Sequence, residues 1–373
     1  MSENTSAIRY PRKRFVRGLL RGFGRLALPL LFEIEIQGNA NFPKQGPLIV
    51  VGNHTAIMEV AMMAVYTPWQ VEFIGSVDIP HEASTAFFAY AFGFIPIMRG
   101  HMDRKGLNVA LDVLKQGGVI GIFPEGGIWE PGNMRPQTGV SWLSYMSGVP
   151  VLPLGFTSAR GALGKAFKLQ RPNLRMDVGE LIAPAKAPEG VARKAYFVSY
   201  AEQVMGAVNA LLPPEVRDRP SEVVDERFEL EVVVADPKGN GVEIPSDLWV
   251  TKAEALTKLL HRPGILKIFV KNLKMPVVPL QNLHTQPAPA ELVPGLEQIM
   301  HYLERENPYF LAYRFGPKQA EEMQVGLQEF LRLVQWAAGK EYTLLVKPIR
   351  RFYSPIEEKE IMQVEQGEYV NWR

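Results

Sequence analysis

Residues 47–59 read "PLIVVGNHTAIME", and the reading of this stretch decides the architecture. Leu48, Ile49, Val50 and Val51 form a short continuous apolar run, Gly52 breaks it, and Asn53, His54 and then Glu59 follow. A run this short, bounded by proline and glycine, reads as a buried strand, so His54 falls on the turn that leaves the strand's end. Inside one regular helix five residues turn the chain through about 500°, which would leave His54 and Glu59 roughly 140° apart. They meet only if His54 precedes the helix and Glu59 lies within it, with Asn53 or Thr55 available to cap that helix. A carboxylate beside an imidazole fixes its tautomer and stabilises the imidazolium, as a general base near neutral pH requires.

Working outward, strand-like and helical stretches alternate. "FEIEIQG" (32–38), "QVEFIGS" (70–76), "GFIPIMRG" (93–100), "VIGIFPEGG" (119–127) and "VPVLPLGF" (149–156) read as strands. Helical patterns fall between them, at 82–92, through "GLNVALDVLKQGG" (106–118), near 138–147 and around 191–212. Strands alternating with helices define an α/β domain with a mostly buried central sheet flanked by helices. We expect it to span 33–212, followed by a proline-rich charged linker at 213–222 and a smaller α+β domain at 223–373 that carries no recognisable catalytic motif.

Composition narrows the chemistry. The 373 residues carry a net charge of only +2, so no global basic field points to nucleic acid. With no cysteine in the chain, a thiol nucleophile, a disulfide and a cysteine zinc site are all excluded. The remaining histidines show no metal-ligand spacing, and no metal is expected. Charge is uneven: residues 9–25, "RYPRKRFVRGLLRGFGR", contain no acid. On a helix Arg14, Arg17, Arg21 and Arg25 form one stripe and Phe15, Leu19, Phe23 and Leu26 another. Residues 1–32 therefore read as a basic amphipathic segment lying in a membrane interface, apolar side in lipid and arginines toward anionic head groups. Each such arginine would contribute roughly 1 kcal/mol. Gly18, Gly22 and Gly24 weaken that helix by about 1 kcal/mol each.

Four blocks stand in order within about a hundred residues: "NHTAIME" (53–59), "FIPIMRG" (94–100), "FPEGGIW" (123–129) and "VPVLPL" (149–154). Their order and spacing resemble the glycerolipid acyltransferase family that includes the 1-acylglycerol-3-phosphate acyltransferases. That resemblance implies an O-acyltransferase of phospholipid biosynthesis in which His54 deprotonates the acceptor hydroxyl and Glu59 orients His54. It assigns the lysophosphatidic acid-like acceptor to Asn53, Arg99, Glu125, Gly126 and Gly127, with Arg135 compensating for a missing cation. No cofactor is implied beyond the co-substrate, an acyl-coenzyme A or acyl carrier protein thioester. Membrane lipids are the expected partners, and the expected location is cytoplasmic and peripheral on the inner face of the cell membrane. Two departures stand out: Glu59 replaces the usual aspartate, and "FPEGGIW" lacks the Thr-Arg that normally follows the third block's glycine. The altered block leaves open a non-glycerol lipid acceptor, or a catalytically inert lipid-binding scaffold of the same fold.

Overall fold

The computed structural model describes residues 8–77, 79–80, 83–99, 103–125, 136–159, 161–214, 225–354, 359–364 and 366. The chain divides into two compact units: Met1–Val77 with Ala83–Arg219, and Asp78–Glu82 with Pro220–Asn371.

In the first unit the chain runs α1 (Arg14–Leu31), β1 (Glu33–Gln37), β2 (Leu48–Gly52), α2 (Met58–Tyr66), β3 (Val71–Ser76), α3 (Ala83–Phe92) and β4 (Phe94–Ile97). It continues α4 (Arg104–Lys115), β5 (Val119–Ile122), α5 (Gly139–Ser147), β6 (Val151–Thr157), α6 (Ala162–Phe167), β7 (Asn173–Val178) and α7 (Arg193–Ala210). The strands form a seven-stranded sheet in the order β1-β7-β6-β2-β5-β3-β4. Strands β2, β3, β4, β5 and β6 are parallel, while β7 runs antiparallel to β6 and carries β1 parallel to itself.

Why β2 sits at the centre follows from its residues. All five are buried, and alternate side chains leave opposite faces of the strand. Leu48 and Val50 join a core with Met62, Met63 and Leu154, whereas Ile49 and Val51 join another with Leu111, Val140 and Val204. Each such side chain contributes about 1.5–3 kcal/mol when fully buried. Gly52 closes the strand because the Phe156 ring lies across it: a Cβ there would meet Cε2 at 2.5 Å.

Helix α1 forms as the amphipathic pattern predicts, but Arg17, Arg21 and Arg25 bond inward to the protein, while Arg14 stays exposed. Arg21 donates to the carbonyl of Thr67 and Arg25 to that of Val65, at the C-terminal end of α2. Lys13 donates to Tyr90 and Ala91, and Arg17 to Phe92, at the C-terminal end of α3. The stripe therefore supplies donors and positive charge to the carbonyls that two helices leave unpaired. Arg17 is fully buried and grips the Glu72 carboxylate, with Nη2 2.8 Å from Oε2, while its guanidinium lies 4.5 Å from the centre of the Phe92 ring. Gly24 lets α1 approach α2, since a Cβ there would meet Val65 Cγ2 at 2.6 Å. Phe15, Leu19, Phe23, Leu26 and Leu30 are left on the outer face. Two further elements, α6 and β7, differ from the sequence reading: "NLRMDV" mixes charge with apolar residues, and its buried positions emerge only from pairing with β1 and β6.

The second unit pairs β8 (Asp225–Ala235), β9 (Gly241–Val242), β10 (Thr343–Ser354) and β11 (Lys359–Val364) in an antiparallel sheet ordered β11-β10-β8-β9. Helices α8 (Ala253–Leu260), α9 (Pro263–Lys271), α10 (Val278–Gln281), α11 (Pro289–His301), α12 (Tyr309–Phe315) and α13 (Pro317–Gly339) build its core, centred on Phe269, Leu296, Met323 and Phe330.

His261 is buried in that unit, its Nε2 2.9 Å from the Pro348 carbonyl. A carbonyl only accepts, so Nε2 carries the proton and the buried Nδ1 is bare. Burial, with Arg350 and Arg262 nearby, pushes His261 down to about 4 despite the opposing pull of Pro348 and Glu226. The unfolded chain binds this proton from about 6.5, so stability is full above that pH and falls as pH drops toward about 4. Denaturation of the second unit followed against pH should lose about 1.4 kcal/mol per unit across that window, a slope absent in His261→Gln. In the first unit, Arg17→Met leaves buried Glu72 with Arg12 alone, and thermal melts should show a smaller loss than for Arg12→Met with Arg17→Met, which strands the carboxylate and should cost about 3–5 kcal/mol.

Candidate active site

The turn after β2 is built from hydrogen bonds that run inward. Asn53 is buried, and its amide clamps one residue of the neighbouring strand: Nδ2 donates to the Phe156 carbonyl at 2.9 Å, and Oδ1 accepts from the Phe156 N–H at 2.7 Å. Both ends of the amide hold β6 against β2, so Asn53 positions the turn that carries His54. Glu125 follows β5 and is likewise buried. Its Oε2 accepts the His54 backbone N–H at 2.9 Å, so this carboxylate fixes the histidine's backbone.

Glu59 is fully buried in the first turn of α2. Oε1 accepts from Thr55 N at 3.0 Å, Thr55 Oγ1 at 2.6 Å and Ala56 N at 2.9 Å, and Oε2 accepts from Ala56 N at 2.8 Å. The cap expected from Asn53 or Thr55 is thus supplied by a carboxylate one turn inside the helix. The extra methylene of glutamate lets one group reach these donors while Oε2 stays 3.6 Å from His54 Nδ1. That separation is longer than a hydrogen bond and lies within the range that closes when substrate binds. The His54 ring stacks on Phe123, centroids 4.4 Å apart and planes 23° from parallel, and its side chain is 16% exposed. With Nδ1 turned to Glu59, Nε2 is the nitrogen left to meet a substrate.

His54 lies at the carboxyl edge of the parallel strands, where open α/β sheets bind ligands. Arg99 follows β4 on the same edge and is half-buried. β4 is three strands from β2, about 14 Å at ~4.8 Å per strand. Asp103 holds the Arg99 turn: Oδ2 accepts from Met98 N at 2.9 Å, and Oδ1 caps α4 through Lys105 N and Gly106 N at 3.1 Å each. Asp103 and Phe123 were missed in the sequence, although an aspartate three residues before a glycine at a helix start is a capping signal. Gly126, Gly127 and Arg135 lie outside the described residues. Among the described residues no group of three acidic or histidine side chains could hold a metal ion.

A central parallel strand ending in an imidazole, with a buried carboxylate behind it and no thiol in the chain, defines a domain equipped for proton abstraction by histidine. Residues 33–157 match the family model described as Acyltransferase. Human 1-acyl-sn-glycerol-3-phosphate acyltransferase alpha is 27% identical over 130 residues, covering 34% of this chain and 46% of that one. The 1-acyl-sn-glycerol-3-phosphate acyltransferase of Bacillus subtilis strain 168 is 18% identical over 157 residues, 42% of this chain and 77% of that one. Among solved structures, the 1-acyl-sn-glycerophosphate (LPA) acyltransferase PlsC from Thermotoga maritima aligns with a TM-score of 0.39 and 20% identity, over 53% of this chain and 80% of that one. The chain spans less than half the length of the human relative. Residues 33–157 thus match an acyltransferase domain, and the similarity to these relatives supports the glycerolipid acyltransferase family.

Replacing Glu59 separates its two tasks. Glu59→Ala strands the N–H groups of Thr55 and Ala56, and thermal denaturation should register about 1–3 kcal/mol for each. Glu59→Gln keeps an acceptor oxygen for them and should lose no more than about 1 kcal/mol, while still lowering turnover through loss of the charge facing Nδ1.

Proposed function

We propose that the protein is a membrane-associated O-acyltransferase that moves a fatty acyl group from a thioester to a hydroxyl of a lysophospholipid, with lysophosphatidic acid the first acceptor to test. The observation that carries this reading is the His54–Glu59 pair at the mouth of the central strand of an acyltransferase domain. His54 Nε2 removes the acceptor proton as the oxygen attacks the thioester carbonyl. The carbon–sulfur bond then breaks, and the proton passes from the imidazolium to the departing thiolate. An ester and a free thiol result, and no protein nucleophile takes part, in keeping with a cysteine-free chain. Base catalysis of this kind is typically worth ~10² to 10⁴-fold, provided both substrates are held in line. Arg99, on the same edge, supplies positive charge for the acceptor's anionic group.

The outer face of α1 supports work at a lipid surface. Phe15, Leu19, Phe23, Leu26 and Leu30 are exposed together on one helix, an apolar stripe of the kind that lies in a membrane interface. Among the described residues no helix is long and apolar enough to cross a membrane. Placement on the inner, cytoplasmic face belongs to the same proposal. Acyl donor identity, coenzyme A or acyl carrier protein, is a matter for direct comparison in the assay.

The test is thiol release from long-chain acyl-coenzyme A in the presence of lysophosphatidic acid and vesicles, comparing wild type with His54→Ala. The chain contributes no thiol background. Acceptor-dependent release should fall at least a hundred-fold in the variant, with an unchanged melting temperature. Retention of a tenth of the activity would remove His54 as the base. Absence of release from folded wild type with both donors and a panel of hydroxylated lipids would leave a lipid-binding role for the same fold.

A further inference from the structure

The exposed apolar stripe does not end with α1. Helix α6 finishes in a tip, residues 165–171, where Phe167 is 79% and Leu169 85% exposed. Leu169 and Arg171 take left-handed backbone angles, φ 57° and 42°, which side chains other than glycine rarely adopt. The backbone thus holds Leu169 outward without giving it an apolar partner. Lys165, Lys168 and Arg171 surround these two side chains and are exposed, and no acidic residue occurs from 158 to 176. The tip also abuts the end of α1: Arg171 Nη2 donates to the Pro29 carbonyl at 3.0 Å, and Glu33 N to the Pro172 carbonyl at 3.1 Å. Leu30 and Leu31 are exposed at that same end of α1.

Topology fixes where this lies. Because β7 is antiparallel to β6 and β1 parallel to β7, the segments entering β1 and β7 stand at the sheet edge that bears His54. The strands they enter are three and two positions from β2, roughly 14 and 10 Å.

We infer that residues 165–171 form a second lipid-contacting element, in which Phe167 and Leu169 insert into an anionic phospholipid leaflet beside the catalytic edge while Lys165 and Lys168 meet its head groups. This rests on the membrane-surface reading above. The charge selects the occupant. An isologous contact with a second copy would set this cationic patch against itself, whereas an anionic leaflet complements it and lets the lysine stems lie along the apolar region. A leaflet touching α1 and the tip together brings a lipid acceptor to the edge from which His54 opens.

The absence of cysteine gives a direct test. Leu169→Cys, Leu26→Cys and Lys238→Cys, each labelled with a polarity-sensitive fluorophore, report the tip, α1 and an exposed turn of the second unit. With vesicles of phosphatidylglycerol and phosphatidylcholine, the probes at 169 and 26 should shift to the blue and that at 238 should not. In co-sedimentation, Phe167→Ser with Leu169→Ser should weaken partitioning about ten-fold. Lys165→Gln and Lys168→Gln should each weaken it about five-fold on the anionic vesicles and not on pure phosphatidylcholine. A shift at 26 without one at 169, and unaltered partitioning of the tip variants, would overturn the inference and leave the membrane reading intact. No shift at either site and no sedimentation of wild type would overturn both. Tip variants that abolish self-association in sedimentation equilibrium, with vesicle binding unchanged, would assign the tip to a contact between copies instead.

Discussion

Two buried carboxylates, Glu59 and Glu125, hold the backbone N–H groups of residues 54–56, and the usefulness of His54 depends on them. A chain leaving a buried strand for a helix carries N–H groups with no partner in the next strand, and each left unpaired costs about 1–3 kcal/mol. Neutral side chains would satisfy those donors as well. Carboxylates do so while adding negative potential next to an imidazole that must become positive during the reaction. The field of the helix start favours Glu59 in this position. One group therefore settles the local fold and the local electrostatics together, and the turn stays ordered without drawing on a substrate for support.

The arginines of α1 show how magnitude decides between two readings of one pattern. Amphipathic spacing states which residues share a face and leaves open which way that face turns. An arginine at a charged lipid surface gains roughly 1 kcal/mol. A buried helix end without donors loses about 1–3 kcal/mol per carbonyl, and α2 and α3 both end beneath α1. Arg17, Arg21 and Arg25 accordingly turn inward. Glu72, buried between Arg12 and Arg17, makes that orientation expensive to reverse. Its by-product is an outward apolar stripe that, in the proposed membrane contact, would not depend on those arginines.

Much of the catalytic unit was legible because its signals are local. The apolar runs of β2, β5 and β6 are short and bounded by glycine or proline, so run length and punctuation located them. His54 and Glu59 were found because their spacing admits one meeting geometry. β7 escaped because its burial depends on pairing with β1 and β6 across more than a hundred residues of sequence in one case. The backbone partners of Asn53 and Glu125 were not legible for a related reason. A polar side chain at a strand end advertises a site, but only the register of the neighbouring strand reveals that Phe156 and His54 present backbone groups within its reach. No sequence pattern ranks those inward partners above an outside ligand.

These backbone bonds bear on how an acceptor would be held in the proposed reaction. With Asn53 and the Glu125 Oε2 engaged on backbone, and no Thr-Arg after "FPEGG", recognition of an anionic head group in that proposal would rest less on these two residues. It would rest more on Arg99, about three strand spacings, ~14 Å, along the edge. An extended arginine recovers part of that gap, and the glycerol-phosphate portion of a lysolipid fills much of the remainder while its hydroxyl lies against Nε2. A rigid Arg99 turn then matters as much as the charge, because a base catalyst loses its advantage when the reacting oxygen drifts by an ångström. Asp103 ties the exit of β4 to the start of α4 by binding the Met98 N–H and the Lys105 and Gly106 N–H groups with one carboxylate. His54 and Arg99 thus each follow a strand whose exit is tied down by a carboxylate, Glu125 and Glu59 in one case and Asp103 in the other.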